Sequence, residues 1–213
     1  DSIDAIVGEA LASGAFPGCQ VVIGRGGDIV VDRSYGHLTA GGDKVTPFTM
    51  YDLASVSKAM GTLPGIMAAV DHGKIDVDDK ASQYIPALAA RMDGKQDITI
   101  RQLLYHESGM PAALNMFDMM MDTTTYVRPL LVHRKDSLHT IAVQRGLYGA
   151  TTAKLRQDIT SPICTAQMNI AAADGIYVGQ CTYDSVMQRI YDISLRASKR
   201  YNYSCLNFAL LMD

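Results

Sequence analysis

The sequence predicts an α/β (α+β) fold in which an antiparallel sheet lobe precedes a helical lobe, and three observations predict it. Two β-rich runs near the N-terminus flank a glycine-rich turn, and from Thr49 onward the apolar spacing is that of helices and loops. The third is size: 213 residues, 48% of them hydrophobic and 19% charged, suffice for a real core, since a chain of that order buries roughly 70% of its unfolded surface. The same numbers exclude disorder, collagen and a disulfide miniprotein. Residues 1–213 are read as a single domain, with 1–48 forming the N-terminal part of the sheet lobe and 49–213 a mainly helical lobe.

The elements follow in order. Residues 1–15 carry Ile3, Ile6, Val7, Ala10 and Leu11 at helical spacing, with Gly14 near the stop and Pro17-Gly18 ending the run. Strands are expected over 19–23 and from 29–31 toward Tyr35, joined by Gly24-Arg25-Gly26-Gly27-Asp28. Those glycines are a hairpin turn and not a phosphate loop, because no helix follows them and no Lys-Ser/Thr closes the pattern. A helix over 53–70 places Met60, Leu63, Ile66, Met67 and Val70 on its apolar side and bends at Pro64-Gly65. Residues 73–79 read as a loop, 85–88 as a short docked turn, and Thr99 as the N-cap of a short helix that halts at Ser108-Gly109. Residues 115–158, with Met116, Met119, Met120 and Met121 as adaptable filler, read as a long connection with little strand signal. Helices over 184–195 and from Tyr203 to Leu211 complete the chain.

Charge and cysteine usage exclude several functions. A net charge of -3 leaves no basic field for phosphate backbones, so no nucleic acid partner is expected. No apolar run approaches the ~20 residues that a membrane span requires. Cys19, Cys164, Cys181 and Cys205 are well separated and form no Cys-x-x-Cys pair. One disulfide, Cys164 with Cys181, is open to them with nothing in the sequence to support it. His133 and His139 are six residues apart with no acidic residue to complete a ligand set, so neither metal nor cofactor is expected.

Chemistry concentrates in Tyr51-Asp52-Leu53-Ala54-Ser55-Val56-Ser57-Lys58. With a helix starting near Ser55, Ser55 and Lys58 share a face, and the N–H groups of the helix start favour negative charge on an attacked carbonyl oxygen. A lysine serves as base only if its pKa falls from an ordinary value of about 10.4. Taken alone, Ser-x-x-Lys also describes an N-cap serine followed by a solvent-facing lysine.

Its surroundings decide between those readings. The segment Phe48-Thr49-Met50-Tyr51-Asp52-Leu53-Ala54-Ser55-Val56-Ser57-Lys58, the segment Thr99-Ile100-Arg101-Gln102-Leu103-Leu104-Tyr105-His106-Glu107-Ser108-Gly109-Met110 and the segment Tyr201-Asn202-Tyr203-Ser204-Cys205-Leu206-Asn207-Phe208-Ala209-Leu210-Leu211 occur in that order. Together they resemble three landmarks of the serine β-lactamase and penicillin-binding-protein superfamily, in its bacterial branch of class C β-lactamases, D-alanyl-D-alanine carboxypeptidases and related esterases. The third segment is also similar to β-lactamase-type domains fused behind glycoside hydrolases. The resemblance implies a β-lactamase/transpeptidase-like fold and a serine hydrolase that forms a covalent acyl-enzyme on Ser55 from ester, D-amino-acid amide or β-lactam carbonyls. Lys58 and Tyr203 would share the proton work, with Lys58 as the cation that stabilises a Tyr203 phenolate. His106 would serve packing and loop shape, its ring satisfied by a neighbour's hydrogen bond. A small-molecule or peptidoglycan-like substrate and a periplasmic or secreted location are implied as well.

Two departures bear on this. Cys205 stands where many relatives have Asn, offering only a weak donor and acceptor for substrate binding, and it is expected as a small buried residue without a nucleophilic role. The chain also ends at Asp213, ten residues after Tyr203, with no Lys-Thr-Gly or His-x-Gly strand. The expectation is an incomplete domain lacking its C-terminal strands, part of a longer or cleaved protein whose missing segment or fused domain is its partner, and a poor catalyst by itself. A catalytically silent β-lactamase-like module that binds peptidoglycan fragments or a partner domain is the alternative.

Overall fold

The computed structural model describes residues 2–144 and 146–213. The chain divides into two units, Asp1–Val56 and Ser57–Asp213.

In the first unit, α1 (Ser2–Ala12) precedes an antiparallel hairpin of β1 (Gly18–Arg25) and β2 (Asp28–Gly36). Gly26 and Gly27, at φ 63° and 94°, make the turn between them, a conformation that hairpin connections need and side chains oppose. Asp4 ties the helix to the hairpin, accepting from the Tyr35 hydroxyl at 2.7 Å and from Arg33 at 2.8 Å, and the Tyr35 bond and then the Arg33 guanidinium help to hold its carboxyl below the usual carboxylate range. Of the expected apolar stripe Val7 is buried, whereas Ile6 is exposed.

The second unit opens with a π-wound segment, Lys58–Thr62, in which the Leu63 N–H reaches back five residues to the Lys58 carbonyl, and continues as α2 (Leu63–Asp71). The irregularity expected at Pro64-Gly65 therefore takes the form of a wider turn just upstream. Pro64 has no N–H to give to an acceptor four residues earlier, and a π turn absorbs that loss. Short α3 (Pro86–Ala89) and α4 (Ile100–Leu104) follow. Thr99 caps α4 in a reciprocal box, its hydroxyl accepting from the Gln102 N–H while the Gln102 side chain accepts from the Thr99 N–H.

The stretch expected as a connection holds α5 (Phe117–Met120) and a series of short strands. β3 (Met121–Asp122) pairs with β7 (Lys154–Leu155), and β4 (Leu131–Val132) and β5 (Ile141–Gln144) flank β6 (Leu147–Gly149). Beyond it β8 (Thr160–Ser161) and β9 (Ile170–Ala173) flank β10 (Ile176–Val178). All these pairings are antiparallel. Strands of two to four residues are too short to show the alternation that marks a strand in sequence.

α6 (Gln180–Asp192) starts and stops earlier than its apolar spacing suggested. α7 (Cys205–Met212) starts after Tyr203, because the Ser204 hydroxyl accepts from the Asn207 N–H and sets the cap there. Ala81, Leu88, Ile98, Leu103, Met110, Met187, Ile190, Leu206 and Leu210 form the buried core between these helices. The four cysteines are free, so Cys164 and Cys181 are not joined. Among the described residues no helix is long and apolar enough to cross a membrane.

Candidate active site

Ser55 is exposed and lies at the end of the first unit, immediately before helical backbone begins at Val56. The residue before it, Ala54, has φ 43°, a left-handed conformation that a β-carbon disfavours by about 1–3 kcal/mol. Asp52 Oδ1 holds the Ala54 N–H at 2.8 Å, and the Val56 N–H closes the turn on the Leu53 carbonyl at 2.8 Å. Such a non-glycine outlier persists only where neighbouring bonds enforce it, and these two do so beside the serine.

In the second unit, Lys58 opens the π-wound segment and its ammonium donates to Cys205 Sγ at 3.6 Å. The same nitrogen lies 5.4 Å from the centre of the Tyr203 ring and 5.9 Å from that of Phe208, close enough for attraction to both ring faces. Burial disfavours the ammonium, but a hydrogen bond with Tyr203 and the Cys205 and Tyr203 side chains outweigh it, leaving the Lys58 pKa above its usual value. A resting lysine base needs the opposite shift. A standing cation beside a phenol needs this one.

The start of α7 is held by residues around α4. Ser204 Oγ donates to the Pro111 carbonyl at 2.6 Å, the Cys205 N–H to Ala112 at 2.8 Å, and Asn202 Nδ2 to Met110 at 3.2 Å. Deeper in, the fully buried Ser108 hydroxyl donates to Asn207 Oδ1 at 2.7 Å, and Asn207 Nδ2 donates to the Leu103 carbonyl at 3.1 Å. Each buried polar atom of that pair is satisfied, as burial requires. His106, at φ 58°, accepts from the Ser204 N–H at Nδ1 and packs its ring on Tyr203, as its expected packing role requires.

The structure thus brings Lys58, Tyr203 and Cys205 together in the second unit, and Ser55 stands three residues ahead of Lys58 in the chain. Cys205 corrects the expectation: it is exposed, not buried, because it is the first residue of α7 and its side chain meets Lys58. Sequence reasoning missed Ser108, Asn202, Ser204 and Asn207 as the residues that position Tyr203. Their signal was available in Asn207, a polar residue between Leu206 and Phe208 in an otherwise apolar helix. Among the described residues no cluster of His, Cys, Asp or Glu is arranged to hold a metal ion.

A model of the family described as Beta-lactamase matches residues 3–141. The chain belongs to the Beta-lactamase family. The matched residues include Ser55, Lys58 and His106 and end before Tyr203 and Cys205. Protein flp of Staphylococcus aureus (strain NCTC 8325 / PS 47) is 30% identical over 118 residues, 54% of this chain and 24% of that protein. N-acetylmuramyl-L-alanine amidase of Bacillus subtilis (strain 168) is 30% identical over 127 residues, 54% of this chain and 29% of that protein. The chain therefore spans less than a third of the length of these curated relatives.

Proposed function

We propose that this chain carries the nucleophile of a serine hydrolase that works through a covalent acyl-enzyme. The observation that carries the reading is the Lys58 ammonium held against Tyr203 just ahead of α7, three residues after the serine of a Ser-x-x-Lys segment. Ser55 Oγ attacks the carbonyl carbon of an ester, D-amino-acid amide or β-lactam, and its proton passes to a Tyr203 phenolate that the Lys58 charge stabilises. The N–H groups at the helix start favour the negative oxygen that forms. Tyr203 returns the proton to the leaving alcohol or amine as the C–O or C–N bond breaks, and water repeats the cycle on the ester of Ser55. Cys205 borders the substrate and gives it a weak partner where an amide side chain would give three. A peptidoglycan-like substrate met outside the cytoplasm, in the periplasm or after secretion, fits the name of the Bacillus subtilis relative.

Intact mass measured after exposure to a penicillin or an activated ester tests the reading. A single acyl adduct is expected, absent in Ser55→Ala and formed at least about a hundredfold more slowly in Tyr203→Phe, the loss typical of a missing general base. An unmodified protein under both reagents overturns it in favour of a silent binding module.

A further inference from the structure

The residues on either side of Tyr203 are both tied to His106. The Asn202 N–H donates to the His106 carbonyl at 2.9 Å, and the Ser204 N–H donates to His106 Nδ1 at 3.1 Å. Between these two bonds the imidazole packs against the Tyr203 ring at 4.6 Å, meets Phe208 at 5.4 Å and takes Tyr201 edge-on at 6.0 Å. The chain reaches this arrangement only because His106 adopts the left-handed backbone conformation that turns it out of α4.

Nδ1 faces a donor, so this nitrogen carries no proton in the observed arrangement and the neutral ring keeps its proton on Nε2. Burial and the positive charge of Lys58 both push the His106 pKa below its usual value. Lys58 from the π-wound segment and Tyr201 and Tyr203 from the approach to α7 are the charged and titratable groups around the ring, with Cys205 in contact with Lys58 and Phe208 apolar. Tyr105 and Glu107 flank it on its own segment.

We propose that His106 is a positioning residue for Tyr203: its carbonyl and its unprotonated Nδ1 hold the backbone on both sides of the phenol, its ring backs the phenol, and a proton on Nδ1 releases the hold. A protonated Nδ1 would point a donor at the Ser204 N–H and set a second positive charge near Lys58. The proposal rests on the reading of Tyr203 as the proton carrier, and it adds a residue whose own protonation governs that carrier.

The test compares the full chain with His106→Asn and His106→Phe, using acylation by p-nitrophenyl acetate as the rate and proton NMR as a readout independent of activity. Asn tolerates a positive φ and its Oδ1 replaces the Nδ1 acceptor, but it does not titrate. The wild-type rate is expected to fall as pH drops through the depressed His106 pKa, below the ordinary value of about 6.5. His106→Asn should stay within about threefold of the wild-type rate near neutrality and lose that acid step. His106→Phe, which keeps a ring but offers no acceptor, should be about tenfold slower, one unit of log rate for a lost hydrogen bond of about 1.4 kcal/mol. In the NMR spectrum the His106 ring and the Ser204 amide should titrate with one midpoint. An acid step at the NMR midpoint of the wild-type His106 ring that persists in His106→Asn, or a Ser204 amide that ignores the ring, overturns the proposal. If no form of the protein acylates, the serine hydrolase reading fails, and the shared or separate NMR midpoints still decide whether His106 holds Ser204.

Discussion

His106 and His139 sit in two regions of the second unit that treat the same side chain in opposite ways. At the junction of α4 and α7, His106 Nδ1 meets a donor, the Ser204 N–H, and burial followed by the Lys58 charge depresses the ring's pKa. In the strand-rich stretch, His139 meets acceptors at both nitrogens: Asp136 Oδ1 lies 2.8 Å from Nδ1 and the Pro129 carbonyl 2.8 Å from Nε2. That carbonyl and then the carboxylate raise its pKa. What a histidine contributes is set by whether its neighbours give or take protons, not by burial alone. The junction is built for a neutral ring beside a cation, and the strand-rich stretch favours the charged form of a ring held between two acceptors.

The largest effect that would break this contrast lies under the junction. Asn207→Leu removes one member of a fully buried pair, leaving the Ser108 hydroxyl without its acceptor and the Leu103 carbonyl with the His106 N–H at 3.2 Å as its remaining donor. The expected loss is about 3 kcal/mol of unfolding free energy by denaturant titration, and adding Ser108→Ala should recover nothing, because the Ser108 oxygen also accepts the buried Met110 N–H at 3.1 Å. A change below about 0.5 kcal/mol for Asn207→Leu would mean that the junction is held by its apolar neighbours and that the polar pair is incidental. Thr99→Ala probes the same junction from the far end of α4. It removes the hydroxyl side of the capping box and should cost about 1 kcal/mol in the same titration. A cost near zero would show that packing of Ile100 and Leu103 holds the helix without its cap.

The junction was also the part of the molecule most legible in the sequence. Thr99 as a cap rests on a short-range rule that the structure carries out, whereas α4 stops at Leu104, short of the stop expected at Ser108-Gly109, and the last helix begins at Cys205 and not at Tyr203. The hairpin was legible for the same reason, since Gly26 and Gly27 announce a turn that few other residues accommodate. The partners of Lys58 were not legible. Cys205 lies 147 residues away in sequence, and nothing local tells that its side chain faces an ammonium instead of the core. Residues 115–178 were illegible for another reason: strands of two to four residues give no period to read, and their pairings link segments far apart in the chain.

The smallest effect, and the one that sharpens the contrast most directly, is the pH response of the His139 clasp. Its pKa is raised in the folded protein, so its contribution is complete below the unfolded value of about 6.5 and is lost as pH rises through the higher folded value. Asp136 works in the other direction. Its carboxyl is depressed chiefly by His139, so its contribution persists until pH falls through that lowered value. His106, with a depressed pKa, is at full strength above about 6.5 and weakens on acidification. Amide exchange corrected for its intrinsic pH dependence should therefore show residues 129–144 and 146–151 losing protection as pH rises through the raised His139 pKa while residues 202–207 hold theirs, and the reverse as pH falls through the lowered His106 pKa. His139→Gln keeps a donor for the Pro129 carbonyl without the charge and should flatten the first response and leave the second unchanged. If both segments instead moved together with pH, the two histidines would be reporting one shared opening, and the division of labour between clasp and positioning ring would fail.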